Sequence, residues 1–421
     1  MAKQFKRAPD RKLVAALDIG ASKAACVIAE LTEALDGDFE VDVVGVGQHG
    51  AALRDKTQDL DAAIRAAVEA AERMAGDRIR HVHVAAAGRS LLTRRIGVDL
   101  DIEGGVVTRE DVADCLAQGL RAAAPEGAQP LHALKIRCAL DGEPAPEDPV
   151  GLAASVLNAE ILGVGVKDSV VANIESMLAR AGLELDEIIA APFAAAEAVL
   201  IDDEKELGAL LLDIGARTTS YALFDRGALV GCGGVGVGGD HITRDIAQIF
   251  GSPIGHAERM KTLHGSVLTG PGDEHRLLDF PQLGDGAEIV RHSKAELAAV
   301  IAPRFEEILE LTLAALPGGA AARRSMRRAV LTGGGSLLIG ARETAERVTG
   351  VKTRLGRPAP LSGAPEAATA PQFAVAFGVL RHAARLKSEH RRATARPRLA
   401  AIGGAGRGLI GGVGQWLKAN F

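Results

Sequence analysis

Two stretches of this chain place an acidic residue at the mouth of a tight glycine turn. KLVAALDIGASKAACVIAEL (residues 12–31) and GALLLDIGARTTSYALFDRGALV (residues 208–230) share one pattern. An apolar run ends in Asp-Ile-Gly, small or hydroxyl residues follow, and a second apolar run begins. A carboxylate at a strand end beside such a turn is how a β-hairpin holds a Mg²⁺-phosphate group. Asp18 and Asp213 are the candidate metal residues, acting through water because Mg²⁺ keeps most of its hydration shell. The backbone amides of Gly20, Ala21, Ser22 and Lys23, and of Gly215, Ala216, Arg217 and Thr218, are the candidate phosphate cradles. A lone Asp-Ile-Gly is an ordinary turn; its duplication implies two facing hairpins that clamp a nucleoside triphosphate.

Further motifs extend the same chemistry. Leu331-Thr332-Gly333-Gly334-Gly335-Ser336 follows an apolar strand, and its glycines let backbone approach an adenosine and its first phosphate. A helix start after this loop favours negative charge. Glu258 and Lys261 are three residues apart on a helix and can reach one ligand, the ribose hydroxyls and the adenine edge; otherwise they form a surface ion pair. Gly238 and Gly239, at the end of GCGGVGVGGD (231–240), are expected near the terminal phosphate, in a turn between strand and helix. His81 and His83 alternate with Val82 and Val84, which reads as a strand with a polar face and not as a metal pair.

The elements that must position these residues alternate strand and helix, which implies an α/β fold. Strands are expected at 13–19, 24–31, 42–48 and 80–86, and helices at 57–76, 293–316 and 371–386. Residues from about 88 to 160 change texture, with short strands and a helix near 108–121, and read as an inserted small α+β domain. At 421 residues the chain can bury a large core in two or more domains. Its net charge of −5 carries no bias toward nucleic acid. Four cysteines without metal-type spacing suggest a reduced cytosolic chain. No apolar run is long enough to span a bilayer, and the basic start does not lead into a signal sequence.

The C-terminus has its own character. Residues 387–408 carry six Lys or Arg against one Glu and read as a flexible basic linker. In RGLIGGVGQWLKANF, a helical period puts Leu409, Ile410, Val413, Trp416, Leu417 and Phe421 on one face. A basic linker followed by a short apolar-faced helix reads as an interfacial membrane anchor. Gly411, Gly412 and Gly414 each cost such a helix about 1 kcal/mol. A single tail therefore binds weakly, and several on one polymer bind through avidity.

With the connecting helices at 192–201 and 371–382, the two hairpins and the adenosine loop resemble the actin, Hsp70 and sugar-kinase superfamily. Within it the chain is similar to the FtsA family of bacterial cell-division proteins. The most specific stretches are Ala-Glu-x-x-x-Lys before His264-Gly265, Leu297-Ala298-x-Val300-Ile301-x-Pro303-Arg304, Val330-Leu331-Thr332-Gly333-Gly334 and Asp148-Pro149-Val150-Gly151-Leu152.

That resemblance implies an actin-like ATPase fold, two lobes around a nucleotide cleft, with ATP and Mg²⁺ as ligands. It implies a basic segment at 1–12, subdomain 1A at 13–84, 163–197 and 357–386, and an inserted 1C at 85–162. Subdomain 2A would occupy 198–240 and 300–356, and 2B 241–299. The linker at 387–408 and the amphipathic helix at 409–421 would follow. The implied partners are a further copy of itself in a polymer, membrane lipid, the C-terminal peptide of the tubulin-like FtsZ, and FtsN-like late division proteins at 1C. Lys294 and Arg304 are candidates for pairing with the acidic FtsZ peptide, with plain surface charge as the alternative. The implied location is the cytoplasmic face of the inner membrane at the division site.

Two departures matter. The second hairpin reads Gly215-Ala216-Arg217-Thr218 where the superfamily prefers smaller residues, so Arg217 either neutralises a phosphate or reshapes the loop. Related chaperones and filaments carry a Glu before the proline of the first connecting helix; here it is Ala191, before Pro192. Without that carboxylate, water activation is expected to be poor, giving tight ATP binding and slow hydrolysis. The alternatives are an ATP-binding adaptor of pilus assembly similar to PilM, and a small-molecule kinase of the same fold.

Overall fold

The computed structural model describes residues 12–34, 39–50, 57–284 and 288–395. Its first sheet contains β1 (Leu13–Ile19), β2 (Lys23–Glu33), β3 (Phe39–Gly50), β4 (His81–Ala86) and β9 (Glu184–Ala190), in the order β3-β2-β1-β4-β9. Between these strands run α1 (Thr57–Ala75), an insertion, and α3 (Asp168–Arg180). The insertion comprises β5 (Leu91–Asp101), α2 (Arg109–Ala122), β6 (Ala128–Leu140), β7 (Glu143–Pro144) and β8 (Val156–Lys167). They form a separate sheet of order β5-β8-β6-β7. Thr108 starts α2 with a capping box: its hydroxyl accepts from the Asp111 amide and the Asp111 carboxylate accepts from the Thr108 amide.

The chain then passes through α4 (Ala191–Val199) and α5 (Asp202–Leu207) into the second sheet. That sheet holds β10 (Ala209–Ile214), β11 (Thr219–Asp225), β12 (Ala228–Val235), β15 (Arg328–Thr332) and β16 (Lys352–Leu355), in the order β12-β11-β10-β15-β16. The two sheets share a design: an antiparallel meander, β1-β2-β3 or β10-β11-β12, whose first strand pairs in parallel with a later one, β4 or β15. Around the second sheet lie α6 (Gly239–Ile249), α7 (Ile254–His264), the hairpin β13 (Leu277–Pro281) and β14 (Ile289–Ser293), α8 (Lys294–Ala314), α9 (Ala320–Ser325) and α10 (Ala341–Thr349). The described chain ends in α11 (Ala374–Ala395).

Three apolar layers follow from strand alternation. One face of the first sheet presents Ala15, Leu17, Cys26 and Ile28 to Ile64, Ala67 and Val171 of α1 and α3. Its other face presents Val14, Ala16, Val27 and Ala29 to α4 and α11, and the same two helices cover Leu211, Ala222 and Val330 of the second sheet. The outer face of the second sheet packs Leu210, Leu212 and Leu223 against Ile246, Ile301 and Phe305. Thus α4 and α11 join the lobes at their shared core. Their approach requires a glycine, since a Cβ on Gly378 would fall 1.7 Å from the Ala194 carbonyl oxygen.

Differences from the sequence reading lie at element ends and on one strand face. The last helix does not stop at 386 but continues to Ala395, through the start of the expected linker. Ser388 supports that extension: its hydroxyl donates to the Ala384 carbonyl and accepts from the Phe39 amide on β3. The polar face expected on β4 is open only at His81. His83 is buried, with its ring 3.5 Å from Glu187 and 3.7 Å from Asp186, because β4 is an interior strand and His83 shares the face of Ala16 that α11 covers. All four cysteines are free and buried.

Candidate functional site

The two Asp-Ile-Gly hairpins close with the same turn bond at matching positions of the two sheets. In the first, the Gly20 amide donates to the Lys23 carbonyl at 2.9 Å; in the second, the Gly215 amide donates to the Thr218 carbonyl at 3.0 Å. Asp18 pairs with Ala25 and Asp213 with Ser220, so each carboxylate sits one pair before the turn residues. Both turns face one cleft. A cavity of about 400 Å³ is lined by the first hairpin, by the second, by Gly333 and Gly334, and by Pro371 and Gln372. A second cavity of about 360 Å³ adjoins it through Ser22, Lys23, Gly215, Ala216 and Gly334, and its far wall includes Glu258, Lys261, Leu263 and Leu338. A charged recess next to a part-apolar one suits phosphates at one end and a base at the other.

The floor of the cleft encloses two carboxylates and one ammonium group. Burial raises the Asp18 carboxyl above its ordinary range, with Lys23 opposing. Burial, then the neighbouring Asp18, push Asp213 up to about 7. Both carboxylates keep partial surface contact with the cleft, so this is enclosure in a recess and not in a sealed core. Burial also lowers the Lys23 ammonium, against the pull of Asp18 and Asp213. Lys23 donates to the Gln372 carbonyl at 2.6 Å and lies 5.3 Å from the Phe373 ring centroid. Two adjacent carboxylates raised by enclosure and mutual repulsion fit a hard divalent cation, which reverses that repulsion.

The glycine loop is built around Asp213. Gly333 has φ +78°, and a Cβ there would lie 2.3 Å from Asp213 Oδ1. Thr332 anchors the loop by donating to the carbonyls of Gly356 or Pro371, both at 3.1 Å. Gly334 and Gly335 line the second cavity. Ser336 does not join them. Its hydroxyl is buried and donates to the Gly333 carbonyl at 2.7 Å, closing the loop on itself.

Several expected contacts are already engaged within the protein. The amides of Gly239 and Asp240 donate to the carbonyls of Gly215 and Ala216 at 2.9 and 2.7 Å, so the start of α6 braces the second hairpin. Gly238 packs over that same turn. Arg217 lines the cavity between the two hairpins, and its Nε donates to buried Asp240 at 3.2 Å. Glu258 and Lys261 do form an ion pair, at 2.6 Å, but in the cavity wall, where Lys261 also donates to Thr243 and to the Gly239 carbonyl. Lys294 is paired with Asp273 at 2.9 Å, and Arg304 with Asp245 at 2.6 and 3.1 Å and with Glu307. Ala191 lines the same cavity, where Asp18 and Asp213 are the only lining carboxylates among the described residues.

Sequence reasoning missed Pro371, Gln372 and Phe373. Their carbonyls and ring complete the floor, but backbone contacts across 349 residues leave no local signal. Among the described residues no group of three or more His, Cys, Asp or Glu is placed to hold a metal directly. No helix among them is long and apolar enough to cross a membrane. Leu409, Ile410, Val413, Trp416, Leu417 and Phe421 lie outside the described residues.

Two lobes with repeated sheets, joined by α4 and α11 beneath paired acidic hairpins, define an actin-like fold. Solved structures agree: a type IV pilus biogenesis complex of PilM and PilN has a TM-score of 0.59 at 20% identity, with coverage of 87% of this chain and 98% of that one. MreB5 of Spiroplasma citri bound to ADP gives 0.51 at 14% identity, with coverage of 90% and 98%. The chain belongs to the FtsA family. Residues 210–378 match the family described as "Cell division protein FtsA", and residues 90–164 match "SHS2 domain inserted in FTSA", which is the β5–β8 insertion. It is 32% identical to cell division protein FtsA of Agrobacterium fabrum over 422 aligned residues, covering 97% of this chain and 95% of the relative. To the Escherichia coli protein of that name it is 30% identical, covering 89% and 91%.

Proposed function

We propose that this chain is an ATP-binding cell-division scaffold that polymerises and tethers FtsZ to the cytoplasmic face of the membrane, where it recruits later division proteins. The observation that supports it most is the convergence of Asp18, Asp213 and Lys23 with two amide-lined turns on one cleft. In this reading Asp18 and Asp213 hold Mg²⁺ through water, the turns at 20–23 and 215–218 bind phosphates, and the second cavity takes the adenosine. When bound, the metal supplies charge neutralisation between the two carboxylates. The protein groups orient the phosphates, and no carboxylate stands at Ala191 to activate water, so turnover is slow and ATP sets conformation and assembly. Weak apolar anchors on each copy then sum on a polymer. Arg304 and Lys294 meet the acidic FtsZ peptide by exchanging their internal partners for it.

Liposome flotation tests the scaffold reading. Full-length protein and a truncation ending at Arg407 are each compared with ATP and without nucleotide. Full-length protein should float, more so with ATP, and the truncation should not. Equal flotation of both, or of neither, refutes the tether.

A further inference from the structure

We propose that the cleft between the insertion and the second lobe, remote from the nucleotide, is a binding site for an acidic peptide of a partner protein. The cavity there has a volume of about 590 Å³, within the range of about 300–1,000 Å³ usual for ligand sites. One wall is the face of the insertion sheet carrying Arg95, Arg137 and Glu160. The other is the end of the second sheet around Asp225, Arg226 and Val230, closed by Pro317.

The charge in this cleft is unbalanced. Three arginines, at 95, 137 and 226, meet two carboxylates, Glu160 and Asp225. Glu160 is shared by Arg95 at 3.2 Å and Arg137 at 2.7 Å, so one carboxylate serves two cations. Asp225 accepts from the Ser325 hydroxyl at 3.1 Å. Among the described residues no hydrogen bond or ion pair engages the guanidinium group of Arg226. This positive cleft sits in a chain of net charge −5, so it is a local design and not a global bias.

Arg226 is also held at a backbone cost. It and Gly227 form the two-residue turn between β11 and β12, with φ of +51° and +78°. Asn, Asp or Gly would occupy the first position of such a turn with less strain. An arginine kept there lines the same cleft as Arg95 on β5 and Arg137 on β6.

One feature favours a peptide over a bare anion: apolar Ile136, Leu162, Leu223, Val230 and Pro317 share the walls with the charges. The edge of β12 is itself engaged, its Val230 carbonyl accepting from Arg95 Nη2 at 3.2 Å and its backbone lying against β5 and β6. A peptide therefore binds through acidic side chains on the arginines and apolar ones on that lining.

The test is fluorescence anisotropy of a fluorescein-labelled octapeptide of alternating Glu and Val against the full chain with ATP and Mg²⁺. Binding should weaken with added NaCl and fall about tenfold in the double variant Arg137→Gln, Arg226→Asn. Arg226→Asn suits the turn, so melting should hold or rise. Arg137→Gln alone, on an exposed strand position, gives a second reading. Arg304→Ala should leave binding unchanged, which separates this cleft from the FtsZ-peptide reading. No binding up to about 1 mM, equal binding of a Lys-Val peptide, or variants that bind like the parent overturn the proposal. If tripolyphosphate displaces the peptide as well as unlabelled peptide does, and a Glu-Ser peptide binds equally, the cleft is a bare anion site and the peptide assignment fails.

Discussion

Neighbouring glycines in the 333–335 loop should respond to one methyl group in opposite ways. At Gly333 a Cβ would lie 2.3 Å from Asp213 Oδ1, 2.7 Å from the Ile214 carbonyl oxygen and 2.9 Å from the Ile214 nitrogen, on a backbone of φ +78°. Left-handed backbone costs an L-residue about 1–2 kcal/mol, and crowding a packed site costs about 1–3 kcal/mol. Gly333→Ala should therefore destabilise the second lobe by about 2–5 kcal/mol, or at least ~4 °C in melting temperature. At Gly334 nothing lies within 4 Å of an added Cβ, and the residue lines both cavities. Gly334→Ala should leave nucleotide-free stability within about 0.5 kcal/mol, yet weaken ATP binding about tenfold by filling cleft space. Differential scanning fluorimetry without nucleotide, followed by titration of a fluorescent ATP analogue, reads both effects. Equal melting of the two variants, or unimpaired ATP binding by Gly334→Ala, refutes the placement of this loop.

Other consequences are as direct. His132 of the insertion accepts a hydrogen bond from the Ala190 amide at 3.1 Å, and burial, then nearby His382, lower its pKa to about 3. The unfolded chain binds a proton near pH 6.5 that the native state refuses, so stability is full above pH 6.5 and declines from there toward pH 3. About 2 kcal/mol should be lost between pH 7.5 and 5, and the loss should shrink in His132→Gln; an unchanged pH profile in that variant disproves the assignment. Arg304 is held by Asp245, so Asp245→Asn should free its guanidinium and tighten a synthetic FtsZ-tail peptide about threefold to fivefold, while Arg304→Ala weakens it by a similar factor. If neither variant changes affinity, Arg304 is outside that interface. ATP turnover, followed by phosphate release, should fall well below the ~10 s⁻¹ typical of enzymes; a rate of that order would show that the missing carboxylate at Ala191 is supplied by another group.

Much of the architecture was legible because it is written in local periodicity. The buried runs of β1 and β10 and the amphipathic α1 each satisfy a burial pattern that neighbouring residues alone impose, whereas the insertion strands, expected to be short, run to 11, 13 and 12 residues in β5, β6 and β8. The duplication of Asp-Ile-Gly pointed to the two-lobed fold, since one such turn is uninformative and two imply a repeated unit. End points were less legible. The extension of α11 to Ala395 depends on contacts such as Ser388 with Phe39, which join distant parts of the chain.

Side-chain assignments show the limit more clearly. The sequence by itself determined which residue types reach the cleft: carboxylates at 18 and 213, glycines at 333–335, and a Glu258–Lys261 pair one helical turn apart. Only the tertiary structure decided how those groups are spent. Ser336 turns into its own loop, the amides of Gly239 and Asp240 brace the second hairpin, Arg217 meets Asp240, and Lys294 and Arg304 are held by Asp273 and Asp245. The packing of α4 and α11 between the sheets also brought Gln372 to Lys23 and set the raised pKa of Asp213. Strand and turn propensities act over a few residues, so one sequence window carries them. Hydrogen-bond partners and enclosure depend on elements hundreds of residues apart, and exist only once the lobes have closed on their shared helices.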